Sequence, residues 1–272
     1  MSFIINPYRY AVGGGSNIAS GSEIAYSLRY ISTSYSGDVI LARRGGDNVE
    51  EGFTPTEISD GTLTSWTSEG SGDGNGFVKT WYDQSGNGNN ATGSNQPRIV
   101  SGGVLETTNS LPSMDVSGSS EFLILDTTLD HTSGYTSFHV EDYGGTGYGV
   151  TLATGSSIPY TPLFISADIY IANGDYYFQD LTPSTTSGQM VISGFCPADG
   201  VTTGQDVRIN GTAQTMSANN FTNSTSQFQY LFRRGSNYTD SPGVQEFIFF
   251  NGDQTSKFSD IETDINDYYS IY

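Results

Sequence analysis

Apolar and β-branched residues recur along most of this chain in short runs, separated by turns of Gly, Asn, Ser and Asp. Alternation within such runs predicts strands. Asp38 to Arg44 places Val39 and Leu41 on one face and Ile40 on the other. In the stretch GFVKTWYDQSGNGNNAT (Gly76 to Thr92), Phe77, Lys79 and Trp81 fall on one face and Val78, Thr80 and Tyr82 on the other. Large groups on both faces predict a strand covered from two sides. Further runs follow at Pro97–Val100, Gly103–Leu105, Leu111–Val116, Phe122–Leu125, Phe138–Val140, Tyr148–Leu152, Leu163–Ile165, Asp168–Ile171, Tyr176–Phe178, Met190–Ile192, Asp206–Ile209, Leu231–Arg234 and Val244–Phe250. Asn173-Gly174 and Asn210-Gly211 sit where type I′ hairpin turns are expected. Short strands at this spacing predict an all-β sandwich of two antiparallel sheets.

Two stretches follow a helical period instead. Residues 22–35 carry Ile24, Ala25, Leu28 and Ile31, with Ser22 as a candidate N-cap and Gly37 as a stop. Residues 254–269 carry Phe258, Ile261, Ile265 and Tyr268 on one stripe, opposite an acidic face, with Thr255 or Ser256 as the cap. The expected architecture is therefore a sandwich with a short N-terminal helix and a C-terminal amphipathic helix. Residues 1–15 form an apolar, aromatic arm that ends in Gly13-Gly14-Gly15, and residues 16–272 read as a single domain.

Composition narrows the function. The formal net charge of −19 repels nucleic acid and anionic membranes, so neither is expected as a partner. Aromatic residues reach 13 %, which suits a folded chain of short strands and tight polar turns rather than a disordered one. The single cysteine, Cys196, excludes an intrachain disulfide, and its apolar neighbours predict an inert buried thiol. The first residues lack the basic start and apolar core of a secretory leader.

Candidate chemistry centres on the loop after Trp81. Asp83 follows Trp81 and Tyr82, and Gln84, Asn87 and Asn89 follow it. Asp83 can line a cleft, or it can bond the N–H groups of its own loop, and the second reading is preferred. Asp83, Asn87 and Asn89 also alternate as oxygen ligands and are weak calcium candidates; no other cofactor is expected. A glycosidase needs two carboxylates about 5–10 Å apart. Asp83, Glu106, Asp115, Glu121, Glu141, Asp142 and Glu246 are the candidates, with Glu141 and Asp142 expected at the surface. Tyr143, Tyr148, Tyr160 and Tyr238 lie between turns and are candidates for stacking on sugars.

AYSLRYISTSYSGDVILARRGGDN (Ala25 to Asn48) and WYDQSGNGNNAT (Trp81 to Thr92) resemble the opening of the catalytic domain of fungal-type α-L-arabinofuranosidase B, glycoside hydrolase family 54. The resemblance covers roughly residues 22–115. VRING (Val207 to Gly211), VQEFIFF (Val244 to Phe250) and IETDINDYYSIY (Ile261 to Tyr272) resemble laminin-G-like modules of bacterial and phage proteins. FIINPYRYA (Phe3 to Ala11) is similar to N-termini of phage structural proteins. These resemblances imply a concanavalin/laminin-G-like jelly roll. They also imply a virion-surface protein, a capsid decoration, head-fibre or tail-fibre subunit. It would dock through Phe3, Ile4, Ile5, Pro7, Tyr8, Arg9 and Tyr10 onto other virion proteins and form a homo-oligomer. The arabinofuranosidase catalytic carboxylates have no alignable counterparts here, so no catalytic residue carries over. A glycan-binding module, with a host surface glycan as partner, and an arabinofuranosidase-type hydrolase are the alternatives.

Overall fold

The strands Tyr135–Tyr143, Gly188–Cys196 and Gly243–Asn251 lie side by side, antiparallel, at the centre of one sheet. Alternation sorts their side chains into two layers. Tyr135, Tyr143, Ile192, Cys196, Phe247 and Phe249 enter the core shared with the second sheet. Phe138, Val140, Val191, Ile248 and Phe250 pack under the C-terminal helix. With both faces covered, Gly243–Phe250 is buried at every position, the polar Gln245 and Glu246 included, and only Phe247–Phe250 reads as an unbroken apolar run. The computed structural model describes residues 16–118, 120–150, 152–153, 160–173, 176–220, 227–234, 237–239 and 241–272. The predicted docking arm lies outside the described residues.

Among the described residues this first sheet has six strands, in the order Ile24–Ser27, Gly243–Asn251, Tyr135–Tyr143, Gly188–Cys196, Asp206–Ile209 and Thr212–Ala213. Asn210 and Gly211 both have positive φ (51° and 72°) and join the last two strands through the Ile209–Thr212 pair, the type I′ turn expected there. The second sheet is longer. It runs from Ser217–Asn220 through Tyr176–Asp180, Asp168–Ala172, Tyr160–Ile165, Leu152–Ala153 and Phe228–Leu231 to Leu123–Leu129, Ala91–Thr92, Gly76–Trp81, Ile40–Arg44 and Glu50–Phe53. The result is an all-β jelly-roll sandwich of antiparallel sheets.

Residues 22–35 depart from the predicted helix. Ile24–Ser27 is a strand, fully buried, at the edge of the six-stranded sheet. Ile24 and Tyr26 face the inter-sheet core, while Ala25 packs with the helix-side cluster. Burial on both faces removes the apolar–polar alternation and leaves a run that imitates a helical period. The helices of the N-terminal half are instead Pro55–Ser59 and Thr62–Trp66. The first has Thr54 and Glu57 in a capping box with Pro at its first turn.

The strand Gly76–Trp81 also differs from simple alternation. Its register against Ile40–Arg44 shifts between Leu41↔Thr80 and Ala42↔Val78. The extra residue, Lys79, is a bulge, and it turns both Val78 and Trp81 into the core. Trp81 stacks between Tyr26 and Phe232, with centroids 5.4 and 6.3 Å away.

The C-terminal helix, Phe258–Tyr269, follows a 3₁₀ turn at Thr255–Lys257 and starts from Lys257 without a side-chain cap, so neither Thr255 nor Ser256 caps it. It buries Phe258, Ile261, Ile265 and Tyr269. A charged knot fastens it to the sheet. Arg29 donates from Nε and Nη2 to Glu246 (2.8 and 3.2 Å) and from Nη2 to Asp264 on the helix (2.8 Å). Ser27 and Tyr269 hydroxyls donate to the same Glu246 oxygen, at 2.9 and 3.2 Å. Burial opposes the Arg29 charge, but Glu246, Tyr269 and Asp264 outweigh it and hold the guanidinium above its ordinary value.

Candidate functional site

The loop after Trp81 crosses from the long sheet to the free edge of Ile24–Ser27. Asp83 is buried there, and both its oxygens are in use. Oδ1 accepts the N–H groups of Ala25 and Ser85, each at 2.9 Å, and Oδ2 accepts the Ser85 hydroxyl (2.7 Å) and the Asn89 N–H (3.0 Å). Gln84 extends the cover. Its Oε1 accepts the Ile31 N–H, and its Nε2 donates to the carbonyls of Ser27 and Arg29. Asn87 Nδ2 donates to Ser22 and Glu23 carbonyls, and Asn89 Nδ2 to Glu23. The Tyr26 hydroxyl donates to the Asn89 carbonyl. An edge strand presents unpaired backbone groups, and this loop satisfies them side chain by side chain.

At the proposed calcium position, Asp83 therefore meets N–H and O–H donors rather than sharing a shell of oxygen ligands. Among the described residues no group of three or more His, Cys, Asp or Glu side chains gathers as metal ligands.

The other carboxylates are also held by protein groups. Glu106 and Asp115 both bind Arg98, the first at 2.7 Å. Glu121, half-buried, accepts the Ser120 N–H. Glu246 belongs to the Arg29 knot. Glu141 is not at the surface as expected. It is fully buried on the core face of its strand, and its Oε2 accepts the Val150 N–H at 2.8 Å. The Asp142 side chain takes the helix-side face and is half-buried, and that burial raises its carboxyl above the ordinary range.

Two of the sugar-stacking candidates are core residues. Tyr143 is 1 % exposed, stacks on Phe164 at 4.7 Å and donates to the Ser166 carbonyl. Tyr160 is 2 % exposed. Both lie on strands whose neighbours cover them, so neither ring face can meet a sugar. Tyr148 is half-buried against the cluster of Tyr160 and Ala172. The Tyr238 side chain lies outside the described residues.

A different tyrosine group is accessible. Tyr30, Tyr35 and Tyr82 are all half-buried beside exposed Asp38. Tyr30 and Tyr35 rings lie 6.3 Å apart, tilted by 56°. Their hydroxyls donate to the backbone carbonyls of Gly37 (3.1 Å) and Asp38 (2.5 Å), which fixes the ring directions. Burial, then the Asp38 charge, raises all three phenols, and Tyr35 is pushed up to about 12. Sequence reading missed this group because its members come from two loops. The usable signal was two tyrosines in a Ser/Gly-rich turn within the stretch that resembles the hydrolase. A cleft of about 490 Å³ between Glu51, Asp60, Thr62, Trp66 and Glu69 contains none of the predicted site residues.

No family model matches the sequence, and no curated protein matches it. Solved structures do. A crystal structure of an arabinofuranosidase complexed with arabinofuranosyl-α-1,2-xylobiose aligns with a TM-score of 0.60, covering 92 % of this chain and 61 % of that one at 14 % identity. A family 54 α-L-arabinofuranosidase soaked with a cyclic sulfate inhibitor gives 0.55, covering 92 % and 62 % at 15 % identity. This chain thus spans about three fifths of the length of those proteins. At such identities the likeness shows the shared β-sandwich fold alone.

Proposed function

We propose that this chain is a non-enzymatic surface protein of a phage virion, a capsid decoration or head-fibre subunit, with a tail fibre as the close variant. In this reading residues 1–15 dock on other virion proteins, copies associate by symmetry, and the acidic sandwich faces solvent. The observation that carries the non-enzymatic part is the state of the carboxylates. A glycosidase needs one carboxyl to give up a proton and another to reach the sugar. Here Asp83, Glu141 and Glu246 are buried in structural bonds, and Glu106 and Asp115 are tied to one arginine. The virion part rests on the resemblance of Phe3–Ala11 to phage structural N-termini. Deleting residues 1–12 tests it: incorporation into particles is expected to fall to background while the sandwich keeps its melting temperature. Unchanged incorporation would sink the docking role.

A second reading, a module for neutral host glycans, is favoured by the Tyr30–Tyr35–Tyr82 group, whose rings are pre-oriented and whose negative surroundings disfavour anionic sugars. Binding on a glycan array that is lost in Tyr35→Ala and Tyr82→Ala supports it. The sandwich shared with arabinofuranosidases leaves a hydrolase as the third reading, and release of arabinose from an aryl arabinoside would establish it.

A further inference from the structure

Ser137, His139 and Glu141 share the core-facing side of the strand Tyr135–Tyr143, and all three are 0 % exposed. Two residues of strand rise put neighbours in this row about 7 Å apart. Their surroundings are apolar. Ser137 stands opposite Gly194 and Phe249, His139 opposite Ile192 and Phe247, and Glu141 opposite Met190 and Val244. The imidazole stacks on Phe247 at 5.9 Å. From the other layer Gly149 presses on the carboxylate so closely that a Cβ there would lie 2.9 Å from Oε1.

Glu141 Oε2 is satisfied by the Val150 N–H, but four atoms of the row have no protein hydrogen-bond partner: Ser137 Oγ, both His139 nitrogens and Glu141 Oε1. Buried polar atoms are nearly always partnered, by protein or by ordered water. His139 Nε2 lies 3.4 Å from Glu141 Oε1. A neutral imidazole carries its proton on one nitrogen and accepts at the other, and we take the tautomer protonated on Nε2, the nitrogen that faces the Glu141 carboxyl. Nδ1 is then an acceptor without a donor, and the nearest polar side chain along the row, Ser137, lies beyond direct hydrogen-bond reach. An internal water needs two to four polar partners and room for about one water-sized sphere.

We propose that the sandwich contains an internal water site between the buried side chains of Ser137 and His139. The water donates to Nδ1 and accepts from the Ser137 hydroxyl. The polar line then runs Ser137, water, His139, Glu141 and the Val150 N–H. Water rather than a metal ion fits, because the row offers one imidazole and one carboxylate, and no larger ligand cluster is present among the described residues.

Imidazole nitrogen NMR on the full-length ¹⁵N-labelled protein at pH 7 tests the site, with His139 identified by its proximity to the Phe247 ring. The expected result is one tautomer, protonated at Nε2, with Nδ1 at the position of a hydrogen-bonded acceptor and a cross-peak to a long-lived water. Ser137→Ala, a small change opposite Gly194, is expected to abolish the water cross-peak and move Nδ1 towards an unbonded acceptor. A proton on Nδ1, or no water cross-peak in the folded wild type, would overturn the proposal. So would Zn²⁺ that raises the melting temperature of the wild type but not of Glu141→Gln. If Ser137→Ala does not fold, the wild-type spectrum alone decides.

Discussion

Asp83→Ala removes four accepted hydrogen bonds, and they differ in weight. The Ala25 N–H is fully buried on the edge strand, so deleting its acceptor strands a donor away from water, at about 1–3 kcal/mol. Ser85 and Asn89 lie in a partly exposed loop where water can replace the carboxylate, so their loss adds roughly 1 kcal/mol together. The expected destabilisation is about 2–4 kcal/mol, or several degrees of melting temperature for a domain of this size. Urea denaturation followed by tryptophan fluorescence suits the measurement, since Trp81 lies at the base of the loop. The midpoint should fall with little change in slope. Asp83→Asn keeps one acceptor oxygen but turns an NH₂ towards the Asn89 N–H, so it should lose about half as much. A change below roughly 0.5 kcal/mol for Asp83→Ala would refute the structural role of this carboxylate.

Three further outcomes follow from the same contacts. Glu246→Gln leaves Arg29 buried with a weakened partner, so stability should drop by about 3 kcal/mol or more, and limited proteolysis should cut first within Phe258–Tyr269. Tyr35 keeps its proton in the folded state beyond the pH at which an unfolded tyrosine ionises. Its contribution should be intact below pH 10 and lost as pH rises towards about 12, as read from melting curves of wild type and Tyr35→Phe. Burial pushes the Cys196 thiol up, so a thiol reagent at pH 8 should label it only after denaturation; prompt labelling of native protein would contradict its burial.

Much of the fold was legible because most strands have one covered and one open face. Asp206–Ile209 and its Asn-Gly turn, and the amphipathic stripe of the last helix, come straight from periodicity. The errors have a common cause. Ile24–Ser27 is covered on both faces, so its pattern lost the alternation that marks a strand. Glu141 and Glu246 sit in central strands of the six-stranded sheet, and the partners of Glu246 come from distant sequence. Arg29 is 217 residues from Glu246, and no local pattern announces that pair. Tyr143 and Tyr160 were misplaced for the same reason, since turns flank them in sequence while other strands cover them in space. The Thr54-Pro55…Glu57 capping box was readable and overlooked.

The pairing of Ile24–Ser27 with Gly243–Asn251 sets a timetable for synthesis. The first of these strands leaves the ribosome more than two hundred residues before its partner, which is roughly 10–45 s at ordinary elongation rates. Until then the nascent chain can hold that strand only through the Asp83 loop, which emerges early and needs nothing from the C-terminal half. A translating cell thus receives a provisional bracket first and the permanent neighbour last. Such long-range closure makes the final step of folding slow. Conditions that hurry or interrupt elongation should therefore harm the yield of this protein more than its finished stability would suggest.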